Sequence, residues 1–84
     1  MSALERDLKD YEVAFQSATA SLELYRELGN RGSIMLALRE VAHSAHQLGQ
    51  RETACQYWRE ALTYATGLDD PMSGELRSYL AQWC

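Results

Sequence analysis

Residues 51–68, RETACQYWREALTYATGL, decide the fold. Ala54, Trp58, Ala61, Leu62, Ala65 and Leu68 recur at steps of three and four, which places them along one side of an α-helix. Upstream, Tyr11 to Leu28 repeats the pattern with Ala14, Ala18, Ser21, Leu22, Tyr25 and Leu28. Sliding the chain on itself by 40 residues pairs Leu8/Leu48, Glu12/Glu52, Ala14/Ala54, Gln16/Gln56, Leu22/Leu62, Leu28/Leu68, Ser33/Ser73 and Leu36/Leu76. An internal period of this length marks stacked helical units.

Working outward, Gly29-Asn30 ends the first of these helices, because both residue types tolerate the left-handed backbone that closes a helix. Asp69-Asp70-Pro71 ends the second, and Asp70 is placed to cap the next helix with Pro71 at its first position. Between the two lies Ser33 to Leu48, with Ser33 as N-cap and Leu38, Val41, Ala42, Ala45 and Leu48 on one face. Gly49-Gln50 forms the tight turn after it, and a shorter helix runs from about Met72 to Trp83. The fold class read from this pattern is all-α, four helices in antiparallel helix-turn-helix repeats, because connections so short pack neighbours antiparallel.

The anchors carry a family resemblance. Leu38, Val41 and Ala42 resemble the large-then-small positions on the first helix of a tetratricopeptide repeat, and Ala54, Trp58 and Ala61 resemble the small-aromatic-small set on its second. Gly49 matches the glycine of the intervening turn. Ala45 stands where the family usually has an aromatic, and Pro71 falls later than in the 34-residue form. The runs DYEVAFQSATASLELYRELGN (10–30) and RETACQYWREALTYATGLDD (51–70) look like the longer repeats of actinobacterial transcriptional regulators. The resemblance covers one complete repeat, Ser33 to Asp70, with most of a second helix before it and part of a first helix after it. By the 40-residue offset, Met1 to Leu8 correspond to the last part of a first helix.

The resemblance implies a protein- or peptide-binding module, serving transcription regulation or signalling in a bacterium. It places the ligand in a concave groove lined by first helices. Carried onto this sequence, the partner-binding residues are Leu36, Arg39, His43, Gln47 and Tyr79, an arginine that can pair with carboxylates beside an aromatic anchor. The alternative is that Arg39 and His43 form a solvated polar face and that Tyr79 and Trp83 are core or dimer contacts. Repeat units need neighbours to cover their apolar sides. Leu76, Leu80 and Trp83 on the last helix have no following helix, which points to a homo-oligomer interface and to self-association as an alternative function. The rival is a monomer with Trp83 folded back onto Trp58.

Composition bounds the rest. Eighty-four residues make one domain, and an apolar share of 46% suits a packed core. Twelve acidic residues against seven Arg and Lys9, net −4, argue against nucleic-acid binding by this segment, which would need a concentrated basic face. No apolar stretch is long enough for a membrane span and no secretory leader opens the chain, so the expectation is a soluble, cytoplasmic chain that binds no membrane. Cys55 and Cys84, far apart and without Cys-x-x-Cys spacing, indicate no disulfide framework and no zinc site, leaving Cys55 as a small buried hydrophobe.

Catalysis and cofactors find no support. Asp69/Asp70 sit at a helix boundary and Glu23/Glu27 on a helix surface, whereas acid–base work needs a desolvated carboxylate. Glu23 with Arg26, and Glu27 with Arg31, read as surface charge pairs. His43 and His46 share a helix face, but zinc needs a third ligand, and apart from Glu40 nothing supplies one. If the repeat pattern holds, Trp58 fills the gap between units, and Trp58→Ala should cost about 3–5 kcal/mol in denaturant unfolding. A loss under about 0.5 kcal/mol would place the indole on the surface.

Overall fold

The computed structural model describes residues 3–84, with side chains described from Asp10 onward. Four helices follow one another, α1 (Ala3–Leu28), α2 (Arg31–Gln47), α3 (Arg51–Gly67) and α4 (Met72–Trp83). The expected all-α class with short connections is what forms. The expected break after Leu8 is absent, because α1 runs unbroken for 26 residues from Ala3; the Met1–Ser2 part of that expectation lies outside the described residues.

The three turns are built alike. Asn30, Gln50 and Asp70 each donate their backbone N–H to a carbonyl five residues back, on Tyr25, Ala45 and Ala65. The residue before each, Gly29, Gly49 or Asp69, has positive φ (72°, 82° and 54°). This closure satisfies carbonyls that a helix end would otherwise leave unpaired. The first and third turns stand 40 residues apart, so the sequence period is a period of turns. Each also carries a short acceptor for the helix that follows. Asn30 Oδ1 accepts from the Ser33 N–H at 3.1 Å, and Asp70 Oδ1 from the Met72 N–H at 2.9 Å. Asn30 is therefore the cap of α2, not Ser33, because an amide oxygen three residues earlier reaches the same orphan N–H and starts the helix at Arg31.

Among the described residues, backbone packing joins only successive helices, α1 to α2, α2 to α3 and α3 to α4. Side chains then bridge alternate ones. Arg39, His43 and His46 of α2 meet Glu75, Tyr79 and Trp83 of α4, in the same order along both helices. Those two helices thus run parallel, with α3 antiparallel to each. Arg26 of α1 pairs with Glu60 of α3, so its partner is not Glu23. With both groups exposed, that pair is worth less than about 1 kcal/mol. Alternate helices therefore form two layers, in a body of 45 × 30 × 18 Å whose thin axis matches two helix diameters.

The core lies between the layers. α2 is covered from both sides and buries Ile34, Met35, Ala37, Leu38, Val41, Ala42, Ser44 and Ala45. Ala42, Ala45, Ala54, Ala61 and Ala65 are all fully enclosed, which lets the α2 and α3 backbones approach closely, while Trp58 fills the remaining volume. The identities at 40 residues do not extend to environment everywhere: Leu76 is fully buried, whereas Leu36 is exposed. Leu76 instead occupies the kind of place that Leu38 holds on α2.

Asp69 is the one described non-glycine residue with positive φ. A side chain there costs about 1 kcal/mol, moderated for Asp. Asp69→Gly should raise the unfolding free energy by about 0.5–1 kcal/mol with α4 retained, read from urea unfolding with circular dichroism; an unchanged or lower stability would show that the turn is unstrained.

Candidate interaction face and ring cluster

Trp58 sits midway along α3 with its ring fully buried. Four other rings surround it: His43 at 5.6 Å, His46 at 5.6 Å, Tyr79 at 5.3 Å and Trp83 at 5.3 Å between centroids. Trp83 stacks on Trp58 at 26° and on Tyr79 at 11°, while His43 meets both Trp58 and Tyr79 edge-on. Stacked and T-shaped pairs of this kind add about 0.5–1.5 kcal/mol each beyond area burial. The helical spacing produces the cluster, since His43 and His46 are one step apart on α2 and Tyr79 and Trp83 one step apart on α4.

A polar corner continues the cluster toward solvent. Arg39 Nη1 donates to Glu75 Oε2 at 3.3 Å, and its Nη2 lies 3.5 Å from Glu40 Oε1. The Tyr79 hydroxyl donates to the same Glu75 oxygen at 2.9 Å. Burial, that hydrogen bond and the Glu75 charge all push the Tyr79 phenol above its ordinary value, so it stays protonated. Two donors within the cluster, Arg39 Nε and Trp58 Nε1, are enclosed without an acceptor.

The expected partner-binding residues form one strip along α2, with Leu36 exposed, Arg39 and His43 half-buried and Gln47 exposed. Tyr79 lies beside His43 across the α2–α4 seam. The expected oligomer interface is arranged differently. Leu76 is fully enclosed by its own chain, and Leu80 and Trp83 are half-buried against the same core. The reason is the Trp58 ring, which gives Trp83 and Tyr79 an intramolecular surface to stack on. The larger exposed apolar side chains lie elsewhere: Val13, Leu24 and Leu28 on α1 at 59%, 53% and 69%, with Leu36 and Leu68.

The cysteines are the clear correction. Cys55 and Cys84 form a disulfide, with Cα atoms 6.1 Å apart. Antiparallel pairing of α3 and α4 brings the start of one against the end of the other. A signal was present in the sequence, since Cys55 stands fourteen residues before Asp69 and Cys84 fourteen after Asp70, symmetric about the turn. A crosslink closing a loop of this size contributes about 3–4 kcal/mol in the chain-entropy picture. Among the described residues no three His, Cys, Asp or Glu side chains gather as a metal-ligand set, and no helix is long and apolar enough to cross a membrane.

No protein-family model matches the chain, and no curated protein or solved structure proved similar to it.

His43 is held below its ordinary value near 6.5, first by burial and then by the Arg39 charge, with Glu40 and Glu75 opposing and His46 adding slightly. The folded state therefore binds this proton less readily than the unfolded chain does. The His43 contribution is complete above pH 6.5 and is lost as pH falls from there toward the lower folded value. Urea unfolding from pH 7.5 to 5 should show stability declining with acidity, and the decline should be shallower in His43→Phe. Parallel pH profiles for the two proteins would contradict this assignment.

Proposed function

We propose that this chain is a protein- or peptide-binding helical repeat module, of the tetratricopeptide type found in bacterial transcriptional regulators, that acts in the cytoplasm without catalysis or cofactor. The observation that carries it is the α2–α4 face, where an arginine, a tyrosine hydroxyl and two half-buried rings sit side by side between exposed Leu36 and Gln47. The Arg39 side chain stays partly exposed, and its guanidinium can pair with a carboxylate or carbonyl on an incoming peptide. The rings give that peptide rigid apolar area, the usual composition of an interaction hot spot.

The turn-to-turn period of 40 residues and the alanine-lined contact between α2 and α3 support the repeat class. The absence of reactive chemistry rests on side-chain types: the carboxylates nearest the face, Glu40 and Glu75, are exposed and engaged with Arg39. The acidic net charge supports a protein or peptide over a nucleic acid.

Self-association is the second reading, and the observation favouring it is the α1 surface of Val13, Leu24 and Leu28. With Leu76 enclosed, a homo-oligomer would use this surface and not the end of α4.

Selection from a displayed peptide library against the immobilised chain should enrich binders. Arg39→Ala and Tyr79→Ala should each weaken them by roughly tenfold, the loss of one charge-assisted or anchoring contact, while leaving helicity unchanged. Normal binding by both variants would remove the α2–α4 face as the docking surface. No enrichment, together with a concentration-dependent mass in sedimentation that Leu24→Glu abolishes, would replace this function with self-association.

A further inference from the structure

A cleft of about 450 Å³ opens beside the disulfide, lined by Arg51, Glu52, Cys55, Gln56, Arg59, Trp83 and Cys84. The two cysteines differ in exposure: Cys55 is only 6% exposed, whereas Cys84, at the end of α4, is exposed. Arg51, Cys55 and Arg59 follow one another at steps of four, so both guanidinium groups share the helix face that carries the buried sulfur. Neither arginine has an ion-pair partner among the described residues, since the pairs formed are those of Arg26 and Arg39. Glu52 is the one carboxylate side chain in the cleft wall.

We propose that this cleft is a thiolation site, at which a small anionic thiol of the glutathione type forms a mixed disulfide with Cys84. The incoming thiolate attacks Cys84 Sγ, on the more exposed residue of the pair. The bond from Cys84 to Cys55 breaks, its electron pair leaves on Cys55 as a thiolate, and a new S–S bond joins the ligand to Cys84. This exchange needs no external oxidant, because the protein disulfide is itself the electron acceptor. A second thiolate attacking the mixed disulfide releases the ligand as its own disulfide and leaves Cys84 reduced.

The surroundings favour this direction of attack. The leaving thiolate of Cys55 forms on α3 one turn from Arg51 and one turn from Arg59, whose positive charges favour it. The same arginines attract carboxylates on the ligand, opposed in the cleft wall by Glu52 and by the terminal carboxylate of Cys84. Trp83 precedes Cys84 and stacks on Trp58, so opening the crosslink frees the last turn of α4 from its covalent tie beside the ring cluster.

The test uses the intact chain. Thiol titration without reductant should find no free thiol. The oxidised protein is then exposed to reduced glutathione, 2-mercaptoethanol or cysteamine at equal thiolate concentration, quenched in acid and mapped by mass spectrometry. The expected result is a single adduct on Cys84, formed fastest with the anionic thiol and slowest with the cationic one, the extremes differing by roughly tenfold at low salt. The ranking should flatten in Arg51→Gln/Arg59→Gln, and also in wild-type chain unfolded in urea, a control that does not depend on the variant folding. Two free thiols at the outset, no trapped adduct, an adduct mapped to Cys55, or equal rates for the three thiols would each overturn the site.

Discussion

The enclosed indole of Trp58 is the contact on which the rest depends. It is the one side chain that touches rings from both α2 and α4 while being carried by α3. Without it, α4 would be held to α3 by Leu76, its partly covered neighbours and the Cys55–Cys84 crosslink. Large aromatic area in a cleft made by alanines is a steric match: Ala42, Ala45, Ala54 and Ala61 bring two backbones together, and the ring occupies the space left at the third. The same ring decides what the end of the chain does. Tyr79 and Trp83 stack inward, so the last helix is closed over the core and does not present an open apolar surface.

That closure also orders the polar corner. Arg39 lies one turn before His43 on α2, Glu75 one turn before Tyr79 on α4, and the parallel run of the two helices keeps the pairs in step. The face proposed to bind a partner is thus a continuation of the core, with rings below and charges above. Rigid rings under a polar rim lose little side-chain entropy when they are covered, which suits recognition of an extended segment.

Much of the fold was legible because the informative signals were local. The steps of three and four from Ala54 to Leu68, the Gly29, Gly49 and Asp69 turns, and the burial demanded of Trp58 all depend on a few consecutive residues. What escaped depended on register between helices. Asn30 displaced Ser33 as a cap because two polar residues within one turn compete for the same N–H. The enclosure of Leu76 depends on how α4 is rotated about its axis, which no local signal in the sequence specifies. The contact between Cys55 and Cys84 is hidden by a sequence separation of 29 and appears only in the hairpin geometry. The α2 strip from Leu36 to Gln47 was readable as a face; that Glu75 would tie Arg39 to Tyr79 was not, since it needs the α2–α4 alignment.

The crosslink has a mechanical consequence. Tension applied between Ala3 and Cys84 passes through the sulfur–sulfur bond and bypasses the backbone from Cys55 onward. The α3–α4 hairpin is then shielded from the pulling force, while α1 and α2 bear it. Some 29 residues, on the order of 100 Å of contour, are held in reserve until the bond is cut. The molecule is therefore extensible at one end and inextensible at the other.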